Sequence, residues 1–242
     1  MADPQILITT SWDDGHELDT KMAAFLADHG YSGTFYVSPL SREIPPRNRI
    51  SDSSLRDLSA RFEVGCHTLT HPHLTRISST DAAHEISDGK RAVEDMIGQV
   101  VSSFCYPYGD YNLSHVEMVR AAGFCVGRTT RRFSVAMSPD PLQMSTTTHA
   151  ARYKADGLRI PRRTASPIKV IRMWRNWDIL ARRVFEEAYE QGGVIHIWGH
   201  SREIEDNTDW RRLASLLDEL AGHDNVKMLT NGELGERIRG MT

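Results

Sequence analysis

The chain has 242 residues, 40% hydrophobic and 25% charged, an ordinary globular balance able to fill one sizeable core. A formal net charge of -3 gives no field suited to nucleic acid or acidic membranes, and no apolar stretch approaches the ~20 residues of a membrane span. No leader-like segment precedes the first apolar run, and the three cysteines are odd in number and scattered. The expectation is a cytoplasmic protein with buried thiols instead of a disulfide framework.

Ile6 to Thr10 reads as a buried strand, after which Gly15 lets the chain turn sharply. A helix follows from about Asp19 to His29, with Met22, Phe25 and Leu26 on one face and Gly30 as its stop. Gly33 to Val37 is a second strand, Pro39 to Ile50 a loop, and Ser54 to Arg61 a short helix before the strand Phe62 to Cys66. Thr80 to Ile97 is a helix capped by Ser79 or Thr80 and closed by Gly98. Val101 to Tyr106 and Phe124 to Thr129 read as strands around a helix from Ser114 to Ala122. Thr130 to Arg163 is irregular, with one short strand near Leu158 to Ile160. A long helix from Trp174 to Gln191, a strand Val194 to Trp198, a helix Asp209 to Ala221, a strand Val226 to Leu229 and a terminal helix complete the chain.

No linker, repeat or low-complexity tract divides residues 1–242, so a single domain is expected. At least seven alternating β and α units predict an α/β fold, a closed or nearly closed barrel of about seven parallel strands. No Gly-x-Gly-x-x-Gly opens a helix after a strand, which gives dinucleotide binding little support. The cluster Arg159, Arg162, Arg163, Lys169, Arg172 and Arg175 reads as a solvated face, with an anionic-substrate patch as the alternative.

Two short segments carry the chemistry: Ser11-Trp12-Asp13-Asp14-Gly15 and His67-Thr68-Leu69-Thr70-His71. Asp-Asp-Gly after a strand is by itself a turn, and a lone His-x3-His is by itself two polar residues. Each lies at the end of an apolar run, and together they favour a shared site. The four-residue spacing predicts both imidazoles on one face of a helical turn. One carboxylate with two imidazoles leaves a position open on a zinc-like ion, the pattern of a catalytic site. Cys66, adjoining His67 in an extended segment, should face away from it.

The order of these signals resembles the polysaccharide deacetylase family, also called NodB-homology or carbohydrate esterase family 4. Its Thr-Phe-Asp-Asp-Gly motif is approached by Ser11 to Gly15, and its His-Ser/Thr-x-x-His motif is matched by His67, Thr68 and His71. Pro107-Tyr108-Gly109 is similar to the end of its Arg-x-Pro-Tyr/Phe-Gly motif, and Trp198-Gly199-His200 to its Leu-x-His, with His196 the alternative histidine. The resemblance implies a distorted (β/α) barrel and metal-dependent hydrolysis of N-acetyl or sometimes O-acetyl groups. It implies Asp14, His67 and His71 as ligands of one divalent metal, zinc first, with cobalt, nickel or iron compatible. It further implies Asp13 as the base for a metal-activated water, the Tyr108 backbone N–H as oxyanion donor and His200 as the acid for the departing amine. Pro107 would fix the turn that aims Tyr108, and Pro107, Trp198 and His16 are assigned to substrate contact.

Two departures stand out. Cys105 occupies the place of the family arginine that orients the base, and Arg128, at a strand end on the same lip, is the expected replacement. No Asp-x-x-Asp-Trp motif supplies a partner to the catalytic histidine, and Glu203 is the nearest substitute. The expected function is hydrolysis of an N-acetylated or otherwise N-acylated small molecule or saccharide. The alternatives are an allantoinase-like ureide hydrolase and a non-catalytic sugar- or metabolite-binding relative. No nucleic-acid or membrane partner is expected, and oligomeric state cannot be read from the sequence.

Overall fold

Ile6–Asp14 forms the first strand, β1, buried along its length except at Asp14. Burial on both faces is what a central parallel strand demands. Ile6, Leu7, Ile8 and Trp12 meet that demand with apolar side chains, and the buried hydroxyls meet it with hydrogen bonds. Thr9 Oγ1 donates to Asn231 Oδ1 at 2.7 Å, Thr10 Oγ1 to the Ser32 carbonyl at 3.1 Å, and Ser11 Oγ pairs with His196 Nε2 at 2.8 Å. The computed structural model describes residues 5–153, 156, 160 and 166–240.

After β1 come α1 (Asp19–Asp28), β2 (Thr34–Val37), α2 (Asp52–Ser59), β3 (Glu63–Cys66), α3 (Ser79–Ile97) and β4 (Ser103–Cys105). The chain continues through α4 (Leu113–Ala121), β5 (Val126–Arg128), β6 (Thr148–His149), α5 (Pro167–Arg175), α6 (Trp177–Tyr189) and β7 (Gly193–Gly199). α7 (Ser201–Asp206), α8 (Trp210–Ala221), β8 (Val226–Leu229) and α9 (Asn231–Gly240) follow. Seven strands run in the order β5-β4-β3-β2-β1-β7-β6, and every pairing is parallel. β8 shares an edge of β1 with β2, taking Ile6 to Thr9 while β2 takes Ser11 to Asp14. A bridge from Met144 to Arg128 then ties the chain entering β6 back to β5, so the sheet curls toward closure. This is the expected distorted (β/α) barrel.

Several expectations are corrected in detail. The stretch 130–163 does carry a strand, but it is β6 at Thr148–His149. The strand expected from Leu158 to Ile160 lies outside the described residues except for Ile160, which is buried, and Arg159, Arg162 and Arg163 lie outside them too. The long helix from Trp174 is two helices, α5 and α6, broken at Asn176, whose extended backbone (φ -130°, ψ 95°) cannot continue a helix. Pro167 at the first turn starts α5, as its fixed φ favours. The cap of α3 is Ser78, which accepts from Asp81 N–H at 3.1 Å.

The histidine spacing is not helical. Thr68 (φ 67°) and His71 (φ 63°) are left-handed, so residues 67–71 form a loop after β3. α3 holds that loop: Glu85 Oε2 accepts from the N–H groups of Leu69 (3.0 Å) and Thr70 (2.8 Å), and Oε1 accepts from Thr70 Oγ1 (2.7 Å). Gly89 permits the close approach, because a Cβ there would lie 2.6 Å from the Thr68 carbonyl carbon and 2.7 Å from Leu69 N. Those are backbone atoms and cannot step aside cheaply. Gly89→Ala is therefore expected to cost about 1–3 kcal/mol through overpacking, read as a lower midpoint in denaturant unfolding. An unchanged midpoint would mean the loop shifts freely.

Candidate active site

Parallel strands put their C-terminal ends on one lip, where α/β barrels carry their chemistry. Here that lip gathers Asp13 and Asp14 from β1, His67 after β3, Cys105 from β4, Arg128 from β5, His149 from β6 and His200 after β7. A cavity of about 260 Å³ opens among them, lined by Asp13, Asp14, His67, His71, Arg128 and His200, with others. A wider hollow of about 490 Å³ between α5 and α6 is lined by Lys169, Arg172, Arg182 and Arg183, and among the described residues no metal-ligating group of three converges there.

Three lone-pair atoms converge in the cavity. His67 Nε2 and His71 Nε2 are 3.2 Å apart, and Asp14 Oδ1 lies 3.4 Å from His71 Nε2 and 3.7 Å from His67 Nε2. Tetrahedral ligands bonded at ~2.0–2.1 Å stand about 3.3 Å from one another, so the triangle fits one ion such as zinc. Asp14 Oδ1 is buried without a hydrogen-bond partner, an acceptor that a cation would satisfy. His67 Nδ1–H donates to the Cys105 carbonyl at 2.8 Å, which leaves its Nε2 lone pair facing the triangle. Burial, and then His71 beside it, holds His67 well below its ordinary pKa and hence neutral.

Asp13 points to a different partner. Arg128 is fully buried and its Nη2 donates to Asp13 Oδ2. Its guanidinium carbon also lies 4.6 Å from the Trp198 ring centroid and 5.5 Å from that of Tyr36. Burial works against the charge of Arg128, but the neighbouring Asp13 carboxylate outweighs it and raises its pKa above the ordinary value. Cys105 and Arg128 are register partners on β4 and β5. Cys105 Sγ lies 4.0 Å from Asp13 Oδ2 and 3.9 Å from His67 Nε2, and burial pushes its thiol well up, so it stays protonated.

His200 sits on the opposite wall. Its Nδ1–H donates to Glu203 Oε2 at 2.6 Å, and its Nε2 is 3.7 Å from Asp14 Oδ2. Burial pulls its pKa down, but the Glu203 bond and the charges of Asp14 and Asp13 outweigh it and raise it to about 9. Buried His149 places Nε2 3.1 Å from the same Glu203 oxygen, outside hydrogen-bond geometry. The 2.6 Å contact is a hydrogen bond and too short for two ligands on one ion, so this group is built to hold a proton. His196 is fully buried on Ser11, away from the cavity lining.

The remaining residues divide. Trp198 lines the cavity; Pro107 and His16 are not among its described lining residues. His16 is buried, accepts from the Leu18 N–H at 3.2 Å and bridges Arg49 through its backbone. Pro107 opens the turn that sets Tyr108 at φ 58°, and the Tyr108 backbone N–H takes no partner among the described residues. The Tyr108 ring stacks on His73 at 3.8 Å and its hydroxyl donates to Glu43. Glu43 and His149 escape sequence reasoning, since one lies in a proline-marked loop and the other ends a two-residue strand too short for any pattern.

A sequence profile of the polysaccharide deacetylase family matches residues 2–127, half of the chain, including both the Asp13-Asp14 and His67-to-His71 segments. The chain belongs to the polysaccharide deacetylase family. The curated relative YxkH of Bacillus subtilis (strain 168) is 23% identical over 128 residues, 52% of this chain and 44% of that protein, so the match spans less than half of that relative. A Mycobacterium smegmatis structure superposes at TM-score 0.73 and 15% identity, covering 100% of this chain and 93% of that one. A variant of the peptidoglycan deacetylase PdaC from Bacillus subtilis gives 0.60 and 18%, covering 100% and 95%. A CE4 family pseudoenzyme from Bacillus anthracis gives 0.60 and 16%, covering 97% and 66%. At such identities these likenesses show the fold. No helix among the described residues is long and apolar enough to cross a membrane.

Two outcomes follow for this polysaccharide deacetylase family site. His67→Ala should strongly lower the metal content of dialysed protein by plasma emission, and unchanged stoichiometry would remove His67 from the ligand set. Arg128→Leu leaves Asp13 buried without its cation, so it should cost about 3–5 kcal/mol in urea unfolding. Cys105→Arg on the register-paired position should recover part of that loss.

Proposed function

We propose that this chain is a metal-dependent hydrolase that removes an N-acetyl or other N-acyl group from a saccharide or small molecule. The convergence of the Asp14, His67 and His71 ligand atoms beside an Arg128-held Asp13 carries this reading. The cavity volume lies near the lower end of the ~300–1,000 Å³ range of ligand sites, which suits an acyl group and an adjoining ring. Exposed Tyr108 and Tyr153 at the rim offer further contact surface. We take residues 1–242 as one catalytic domain, and the free thiols of Cys66, Cys105 and Cys125 fit a reducing compartment such as the cytoplasm.

Asp14, His67 and His71 would hold a divalent ion, zinc first, with cobalt, nickel or iron compatible with the same donors. When bound, such an ion supplies Lewis acidity that polarises an acyl carbonyl and makes nearby water more acidic. Asp13 would accept the proton of the attacking water, oriented by its bond from Arg128. The partnerless N–H of Tyr108 would donate to the oxyanion. An amine leaves poorly unless protonated, and His200, charged at neutral pH, would supply that proton while Glu203 holds its Nδ1. Trp198 would wall the acyl group.

The ureide-hydrolase alternative finds no support among the relatives described above. A purely binding role has a fold-level parallel in the Bacillus anthracis pseudoenzyme. Against it stands the buried Arg128–Asp13 pair, which a binder does not need.

Asp13→Asn should leave metal bound yet lower acetate release from an N-acetyl substrate panel by about 10²–10⁴-fold. A mutant within a few-fold of wild type would assign the base elsewhere. His200 is competent as an acid only while protonated, so turnover should fall as pH rises through about 9. Glu203→Gln keeps an acceptor for Nδ1–H but removes the charge that helps raise His200, so this alkaline limb should move toward neutral pH. A limb that stays in place would detach Glu203 from His200.

A further inference from the structure

The two histidine ligands are backed differently. His67 Nδ1 faces a backbone carbonyl, that of Cys105, while His71 Nδ1 faces a carboxylate: Glu43 Oε2 stands 3.2 Å away, off the hydrogen-bond axis. The other Glu43 oxygen accepts from the Tyr108 hydroxyl, so both of its oxygens are engaged across the cavity rim.

This approach is built into the backbone. The loop carrying Glu43 is zipped to the histidine loop by Leu40 N–H to Leu69 O at 2.9 Å and Arg42 N–H to Thr70 O at 3.2 Å. Arg49 staples its other side, donating to the Ile44 carbonyl at 3.0 Å and the Ser41 carbonyl at 2.5 Å. The His71 ring is packed between His67 and Tyr108, with centroids 4.7 and 4.6 Å away, and has little room to flip.

We infer that Glu43 is a positioning residue for the metal: it accepts the Nδ1–H of His71 and so turns the Nε2 lone pair toward Asp14 and His67. This rests on the metal reading of the site. An acceptor behind the far nitrogen fixes both tautomer and ring orientation, and its loss typically costs about 10–100-fold in metal affinity or activity.

The test titrates zinc against a chromophoric chelator competitor with the whole purified chain, so no substrate is needed. Wild type should bind one ion, and His67→Ala should lose it. Glu43→Ala should weaken affinity about 10–100-fold. Glu43→Gln, whose amide oxygen still accepts an N–H without the charge, should recover part of that loss. Cobalt absorption of Glu43→Ala should differ from wild type, a change in ligand field that a merely structural role would not produce. Because the Glu43 side chain is half exposed, apo melting should fall only slightly through the lost Tyr108 hydrogen bond, and Glu43→Gln serves if the alanine variant misfolds. Wild-type uptake with unchanged affinity in both Glu43 variants would overturn this role alone. No uptake by wild type would bring down the metal reading, and this inference with it.

Discussion

Two consecutive carboxylates end β1 where the sheet opens, and the rest of the site answers to that constraint. Asp14 leaves the extended conformation (φ 85°), so the two neighbours enter one cavity in different directions and each finds separate partners. Asp13 takes the guanidinium of Arg128; Asp14 is ringed by the Nε2 atoms of His67, His71 and His200 at 3.4–3.7 Å. A third acid, Asp19, lies fully buried nearby. Burial first, then the charges of Asp14 and Asp13, push its carboxyl up to about 8 despite a hydrogen bond from Ser201. It remains neutral at neutral pH and links α1 to the segment after His200 without adding charge.

The route by which the guanidinium reaches Asp13 explains the cysteine. Arg128 and Cys105 occupy paired positions on adjacent strands, so an arginine entering from β5 must pass the β4 side chain at that level. A thiol is small enough to leave the passage open, and its burial keeps it neutral beside the ion pair. Two guanidiniums at positions 105 and 128 would compete for one carboxylate. The arginine need not come from the family's usual strand, because parallel strands deliver their ends to a common lip.

How much of this was legible in sequence follows from what sequence patterns encode. Asp13, Asp14, His67 and His71 sit in contiguous motifs at the ends of apolar runs, and period and burial announce such runs. Arg128 and Glu203 could be reached by asking which charged residues lie near a strand end or a histidine. Glu43 and His149 could not: their approach depends on loop hydrogen bonds and a two-residue strand, neither of which leaves a periodic trace. The four-residue histidine spacing was ambiguous for a physical reason. A helical turn and a loop with two left-handed residues can both bring such side chains together, and only the backbone dihedrals separate them.

Those dihedrals also show where the fold stores strain. Of six non-glycine residues at positive φ among the described residues, four are Asp14, Thr68, His71 and Tyr108. Each such conformation costs of order 1–3 kcal/mol and persists only where surrounding contacts overdetermine it. Those contacts can be named: Glu85 on α3 holds the histidine loop, Glu43 holds Tyr108, and the strand pairing of β1 with β2 runs to Asp14 itself. Most of this strain is therefore gathered at the convergent triangle and its rim, with Phe133 and Thr208 carrying the rest in connecting segments. A scaffold arranged in this way sets three lone pairs at coordination spacing through its own folding contacts, so the cost of gathering them falls on folding.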